Sequence, residues 1–137
     1  MKNIAFHYLY RDGSNNKNCG QAVFANPTSL ATDDLEALLV PWLDGEEYFI
    51  ASQIEVPEIF LWSKDAADYD PDDPATYPKD LGPGRYQITS EDHCWHEFSG
   101  LLETEDQPTD TRTISEFLSA VEQASTAGWR EFQVGEE

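Results

Sequence analysis

Residues 63–84, SKDAADYDPDDPATYPKDLGPG, constrain the fold more than any other stretch, because they hold four of the eight prolines and six aspartates. Proline fixes φ and lacks a backbone donor, so this segment can be neither a central strand nor a helix interior. The core must therefore come from residues on either side of it. A connection of this length inside a compact domain is either a functional surface loop or a disordered one. Its carboxylates Asp68, Asp70, Asp72 and Asp73 make it a candidate contact surface. With 137 residues, the chain has the size of one domain, 1–137, built on one core.

The flanking sequence supplies two helices. TISEFLSAVEQASTA (113–127) opens with Thr113 and Glu116 at capping-box spacing, and Ile114, Phe117, Leu118 and Val121 recur along one face. Gly128 follows at the place where a left-handed residue ends a helix. DDLEALLVPWL (33–43) is the second helix. Thr32 stands at its cap, Asp33 and Asp34 suit its positive end, and Leu35, Leu38, Leu39 and Trp42 share a face. Pro41 kinks or ends it. Strands are predicted at 3–10, where Ile4, Phe6, Tyr8 and Tyr10 alternate, and at 21–25, 47–52, 58–62, 85–89, 93–98 and 129–134. The fold class expected is α+β, a mostly antiparallel sheet of about five to seven strands with both helices packed on one face.

Charge narrows the function. Eight Lys and Arg stand against 27 Asp and Glu, a net charge of −19. Such a chain repels nucleic acid and anionic membranes, so direct binding to either is not expected and a basic protein partner is. No Lys or Arg occurs between Lys17 and Lys64, or between Arg85 and Arg112. The first gap holds Asp33, Asp34, Glu36, Asp44, Glu46 and Glu47, and the second holds Glu103, Glu105 and Asp106. Folded together they must form uniform negative surfaces. These could mimic duplex phosphates, steer a basic partner, or reflect adaptation to salt. The N-terminus lacks the pattern of a signal peptide, and no apolar run reaches membrane-spanning length. Cys19 and Cys94 then read as reduced thiols in a cytoplasmic protein. The oligomeric state is left open.

EDHCWHEF (91–98) raises the rival possibility of chemistry. As a strand it points His93, Trp95 and Glu97 one way and Cys94, His96 and Phe98 the other, which makes Cys94 and Phe98 core residues around a buried His96. As a site it offers Cys94, His96 and Glu97 for catalysis, or His93 and His96 with His7 for a metal. Zinc takes such ligands at about 2.0–2.3 Å. Against this, H-E-x-x-H, paired C-x-x-C, G-x-S-x-G and the glycine-rich phosphate loops are all absent, so no cofactor is implied. DGSNNKNCG (12–20) and DYDPDDPATYPK (68–79) alternate oxygen-bearing residues as calcium loops do, but miss the required Gly and Glu. A hairpin or Ω-type loop is the plainer reading of the first.

Y-R-D-G-S-N-N-K (10–17), V-F-A-N-P (23–27), D-G-E-E-Y-F-I-A (44–51), V-P-E-I-F (56–60), D-H-C-W-H-E-F (92–98) and T-I-S-E-F-L (113–118) together resemble a family of small bacterial proteins of unknown function. The likeness spans most of the chain. It departs at Asn16, where members often carry an aromatic residue. The resemblance implies no activity; it implies a stand-alone cytoplasmic bacterial protein from mobile or accessory gene clusters. The leading expectation is thus an acidic, non-enzymatic binding protein of inhibitor, immunity or anti-defence type. Its contacts are expected at Asp33, Asp34, Glu36, Asp44, Glu46, Glu47, Asp68, Asp70, Asp72, Asp73, Glu103, Glu105 and Asp106.

Overall fold

A computed structural model of the chain describes residues 2–13, 15, 17–60 and 92–133. Strand β1, Asn3–Arg11, is flanked on one side by β2, Lys17–Phe24, and on the other by β4, His96–Thr104. The short β3, Tyr48–Phe49, closes the far side of β4, and every pairing is antiparallel. Of the two expected forms, hairpin or Ω-type loop, the β1–β2 connection is a hairpin, with Arg11 paired to Lys17. Asn15 takes φ 69° and donates its N–H to the Asp12 carbonyl at 3.1 Å, a left-handed position that Asn tolerates. Alternation along β1 puts Ile4, Phe6, Tyr8 and Tyr10 on one buried face.

That face is the core. The Phe6 ring lies 4.9–5.4 Å, centroid to centroid, from Tyr8, Phe49, Phe98 and Phe117. Such pairs each contribute about 0.5–1.5 kcal/mol beyond burial of their area. Helices α1, Thr32–Leu39, and α2, Ile114–Ala127, add Leu35, Leu39, Ile114, Phe117 and Val121 to the same cluster. The fold is therefore α+β, with the helices covering one side of an antiparallel sheet.

Local chemistry explains the helix ends. Thr113 Oγ1 accepts from the Glu116 N–H at 3.2 Å, and Glu116 Oε1 accepts from the Thr113 N–H at 3.1 Å, completing the capping box. Gly128 has the positive φ expected, 98°, but its ψ of 131° lies outside the left-handed helical shape. Pro41 acts as anticipated, since α1 gives way to a 3₁₀ turn at Val40–Trp42. Two readings of α1 are corrected. Its cap is Ala31 without a side-chain bond, because Thr32 already lies inside the first turn. Leu38 is half exposed, leaving Leu35 and Leu39 to face the core.

Four strands stand among the described residues, not five to seven. The expected strands at 58–62 and 129–134 are not strand at 58–60 and 129–133. Here side chains take the backbone groups that a ladder would use. The Ile59 N–H donates to His96 Nε2 at 3.0 Å, and its carbonyl accepts from Asn18 Nδ2 at 3.0 Å. The Arg130 N–H goes to Gln53 Oε1 at 2.6 Å, and the Phe132 N–H to Cys94 Sγ at 3.4 Å. The stretch 47–52 keeps only β3 before a 3₁₀ turn at Ala51–Ile54, which ends in Glu55 at φ 56°. The expected strand at 85–89, the loop 63–84 and its Asp68, Asp70, Asp72 and Asp73 lie outside the described residues.

Candidate functional site

The two motifs singled out in the sequence, around Tyr10 and around Trp95, meet where β1 ends and β4 begins. Tyr10 Oη donates to Asp92 Oδ1 at 2.6 Å and accepts from the His93 N–H at 3.2 Å. His93 Nε2 donates to the Arg11 carbonyl at 2.6 Å, and its Nδ1 accepts from the Trp95 N–H at 3.0 Å. Arg11 grips Glu97 through Nε and Nη2, at 3.1 and 3.2 Å, and holds the Asn15 side chain through Nη1. The hydrogen bond to Glu97 keeps the Arg11 guanidinium charged even more firmly than usual.

This network corrects the reading of 93–98 as strand. Residues 92–95 are not strand, and β4 starts at His96. The His93 ring bonds the backbone two residues on, a local alternative to the ladder, and Tyr10 takes the N–H of His93 itself. His96 is buried as expected, with its ring among those of Tyr8, Tyr10, Phe49 and Phe60 at 4.9–6.0 Å. Burial lowers its pKa to about 4. The bond from Ile59 makes Nε2 an acceptor and puts the proton on Nδ1, which has no hydrogen-bond partner among the described residues.

Both a metal and a proton-accepting role require an imidazole lone pair. In His93 and in His96 alike, that lone pair accepts a backbone N–H. Cys94 is buried, its Sγ accepts from Phe132, and burial raises the thiol pKa, so it lacks thiolate character. Glu97 is committed to Arg11. His7 lies on the opposite face of β1 from the His96 contacts, beside the exposed Cys19, Gly20, Ser99, Gly100 and Leu102. The structure therefore does not bring His7, His93 and His96 together. Among the described residues, no three His, Cys, Asp or Glu side chains are grouped to hold a metal.

The carboxylates form a second region. Asp33, Asp34, Asp44, Glu46, Glu47, Glu103, Glu105 and Asp106 are exposed. Glu36 is not part of that display. Its Oε1 turns in to accept the Leu101 N–H at 2.9 Å, just past the irregularity in the β1–β4 register. Helix α1 packs on β4, the turn at 44–47 joins it through the Phe98 N–H and the Glu47 carbonyl, and Glu103–Asp106 occupy its far end. Gly45 and Glu46 take φ 59° and 65° in that turn. For Glu46 this left-handed shape costs about 1 kcal/mol. The Glu47 charge raises the Tyr48 pKa, a sign of the local negative field.

Of the five Lys and Arg among the described residues, Lys2, Lys17 and Arg130 are exposed, while Arg11 and Arg112 are partly buried and paired with Glu97 and Asp110. Arg112 contacts Asp110 Oδ2 at 2.8 Å and the Ile54 and Glu55 carbonyls at 2.9 and 3.1 Å, and it stacks over Phe24 and Phe117. That ion pair lowers the Asp110 pKa. Arg11 and Arg112 did not stand out in the sequence, yet there was a signal. A lone arginine in an acidic chain is surrounded by candidate partners, and burying one such pair relieves self-repulsion.

Comparison with protein families, with curated proteins and with solved structures found no match. No helix among the described residues is long and apolar enough to cross a membrane.

Proposed function

We propose that the chain is an acidic, non-enzymatic binding protein that engages a basic protein surface, an inhibitor, immunity or anti-defence module of the bacterial cytoplasm. One observation carries the reading. Eight carboxylates along α1, the 44–47 turn and the end of β4 face solvent, while the partly buried Arg11 and Arg112 are each paired with a carboxylate of the fold, Glu97 and Asp110. A surface arranged so speeds encounter with a positive partner and rejects nucleic acid and anionic membranes. Where its carboxylates match the spacing of phosphates, it mimics a nucleic acid toward that partner.

Capture from a host lysate tests this, run at about 100 mM salt, where screening acts over ~10 Å, and again at about 500 mM. The expected result is a near-stoichiometric basic protein at low salt that is lost at high salt. Empty capture at both concentrations overturns the reading. The rival, an enzyme or metal protein using His93, Cys94, His96 and Glu97, is favoured by one observation, the buried and unpartnered Nδ1–H of His96. It requires stoichiometric metal or an activity that His96→Gln abolishes.

A further inference from the structure

Where the 44–47 turn meets the segment after α2, a cleft of about 460 Å³ is lined by Trp95, Trp129, Leu43, Asp44, Gly128 and Glu131, with Ser125 and Gly45 completing it. Both indole donors are already used. Trp95 Nε1 donates to Glu131 Oε1 at 2.6 Å, and Trp129 Nε1 donates to the Trp42 carbonyl at 3.2 Å. The indoles therefore offer a ligand only carbon and π surface, whose faces carry negative potential. Asp44 and Glu131 add two exposed carboxylates, and among the described residues no Lys, Arg or His lines the cleft. Anions are repelled, and among the described residues the Ser125 hydroxyl is the one side-chain donor left for a neutral hydrogen-bond acceptor. An organic cation finds aromatic surface and opposite charge together.

The fold contains a filled version of the same arrangement. The Arg112 guanidinium carbon sits 5.6 and 5.3 Å from the Phe24 and Phe117 ring centroids, with Asp110 and two carbonyls at its edge. We propose that the Trp95–Trp129 cleft binds an organic cation, a guanidinium or alkylammonium group, against the indole surfaces with Asp44 and Glu131 as counter-charges. A free cation and a side chain of a basic protein both present this chemistry, so the cleft can be filled without a protein partner, although it shares Asp44 with the acidic surface proposed above.

The test is tryptophan fluorescence, with the Trp95 indole N–H followed by NMR, during titration at constant ionic strength. The ligands are arginine amide, its neutral isostere citrulline amide, and a short peptide containing one arginine. Saturable change with arginine amide and none with citrulline amide is expected. Trp95→Leu should weaken binding about fivefold, the size of one exposed cation–π contact, and Asp44→Asn should weaken it about threefold to fivefold, the size of one partly exposed ion pair. Glu103→Gln with Glu105→Gln should leave the midpoint unchanged, separating the cleft from the general negative field. Because Asp44 is exposed, its substitution tests the site without unfolding it. Equal responses to the two amides, no saturation, or an Asp44→Asn midpoint like the parent's would overturn the proposal. Tighter binding of the peptide than of the amide assigns the cation to a protein side chain, and equal binding assigns it to a free ligand; either supports the site.

Discussion

Glu97 is buried with both carboxylate oxygens bonded to Arg11, whereas Glu46, in the turn before β3, faces solvent with no partner among the described residues. The contrast extends to their neighbours. At the β1–β4 junction, Tyr10, Arg11, His93, His96 and Glu97 bond to one another or to the backbone around them. Along α1 and the 44–47 turn, Asp33, Asp34, Asp44, Glu46 and Glu47 point outward. The difference teaches that the residues resembling a catalytic motif are engaged in bonds at the sheet junction, and that the plainer acidic residues, the exposed rim, are the ones left facing solvent. Changes at the junction should cost stability, and changes at the rim should cost binding.

The largest expected effect comes from acid. His96 titrates near 6.5 in the unfolded chain and near 4 when folded, so the unfolded state binds the extra proton between those values. Its contribution is complete above pH 6.5, falls as pH drops toward 4, and amounts to about 3 kcal/mol. Urea unfolding at several pH values should show that loss, and His96→Gln should flatten it. Next, Tyr10→Phe removes the bonds to Asp92 and from the His93 N–H, and should cost about 1.5 kcal/mol in the same assay. Glu97→Gln weakens the grip on Arg11 and should cost about 1 kcal/mol, kept low by the partial exposure of Arg11. The smallest change runs the other way. Glu46→Gly relieves a left-handed backbone and should stabilise by up to about 1 kcal/mol while weakening partner binding. If it strengthens both, or if junction variants lose binding at unchanged stability, the comparison breaks.

Much of this was legible in the sequence where one local rule decides. The capping box and the 114, 117, 121 spacing define α2, the alternation at 4, 6, 8 and 10 defines β1, and Pro41 ends α1. The misreadings at 58–60, 93–95 and 129–133 share one cause. These stretches have strand-like composition, but their backbone donors bond to His96, His93, Cys94 and Gln53 side chains, which local propensity does not encode. The burial of His96 could be anticipated from its place between Cys94 and Phe98. The bonds that fix its tautomer could not, because Ile59 is remote in sequence. Acidity predicted the rim, but not that Glu36 turns inward to Leu101.

The most direct measurement is lysate capture with two variants side by side, the rim variant Asp33→Asn/Asp34→Asn/Asp44→Asn/Glu46→Gln/Glu47→Gln and the junction variant His93→Gln/His96→Gln, both assayed where each is folded. The account predicts that the rim variant loses the basic partner and the junction variant keeps it. A partner retained by the rim variant and lost by the junction variant would contradict it.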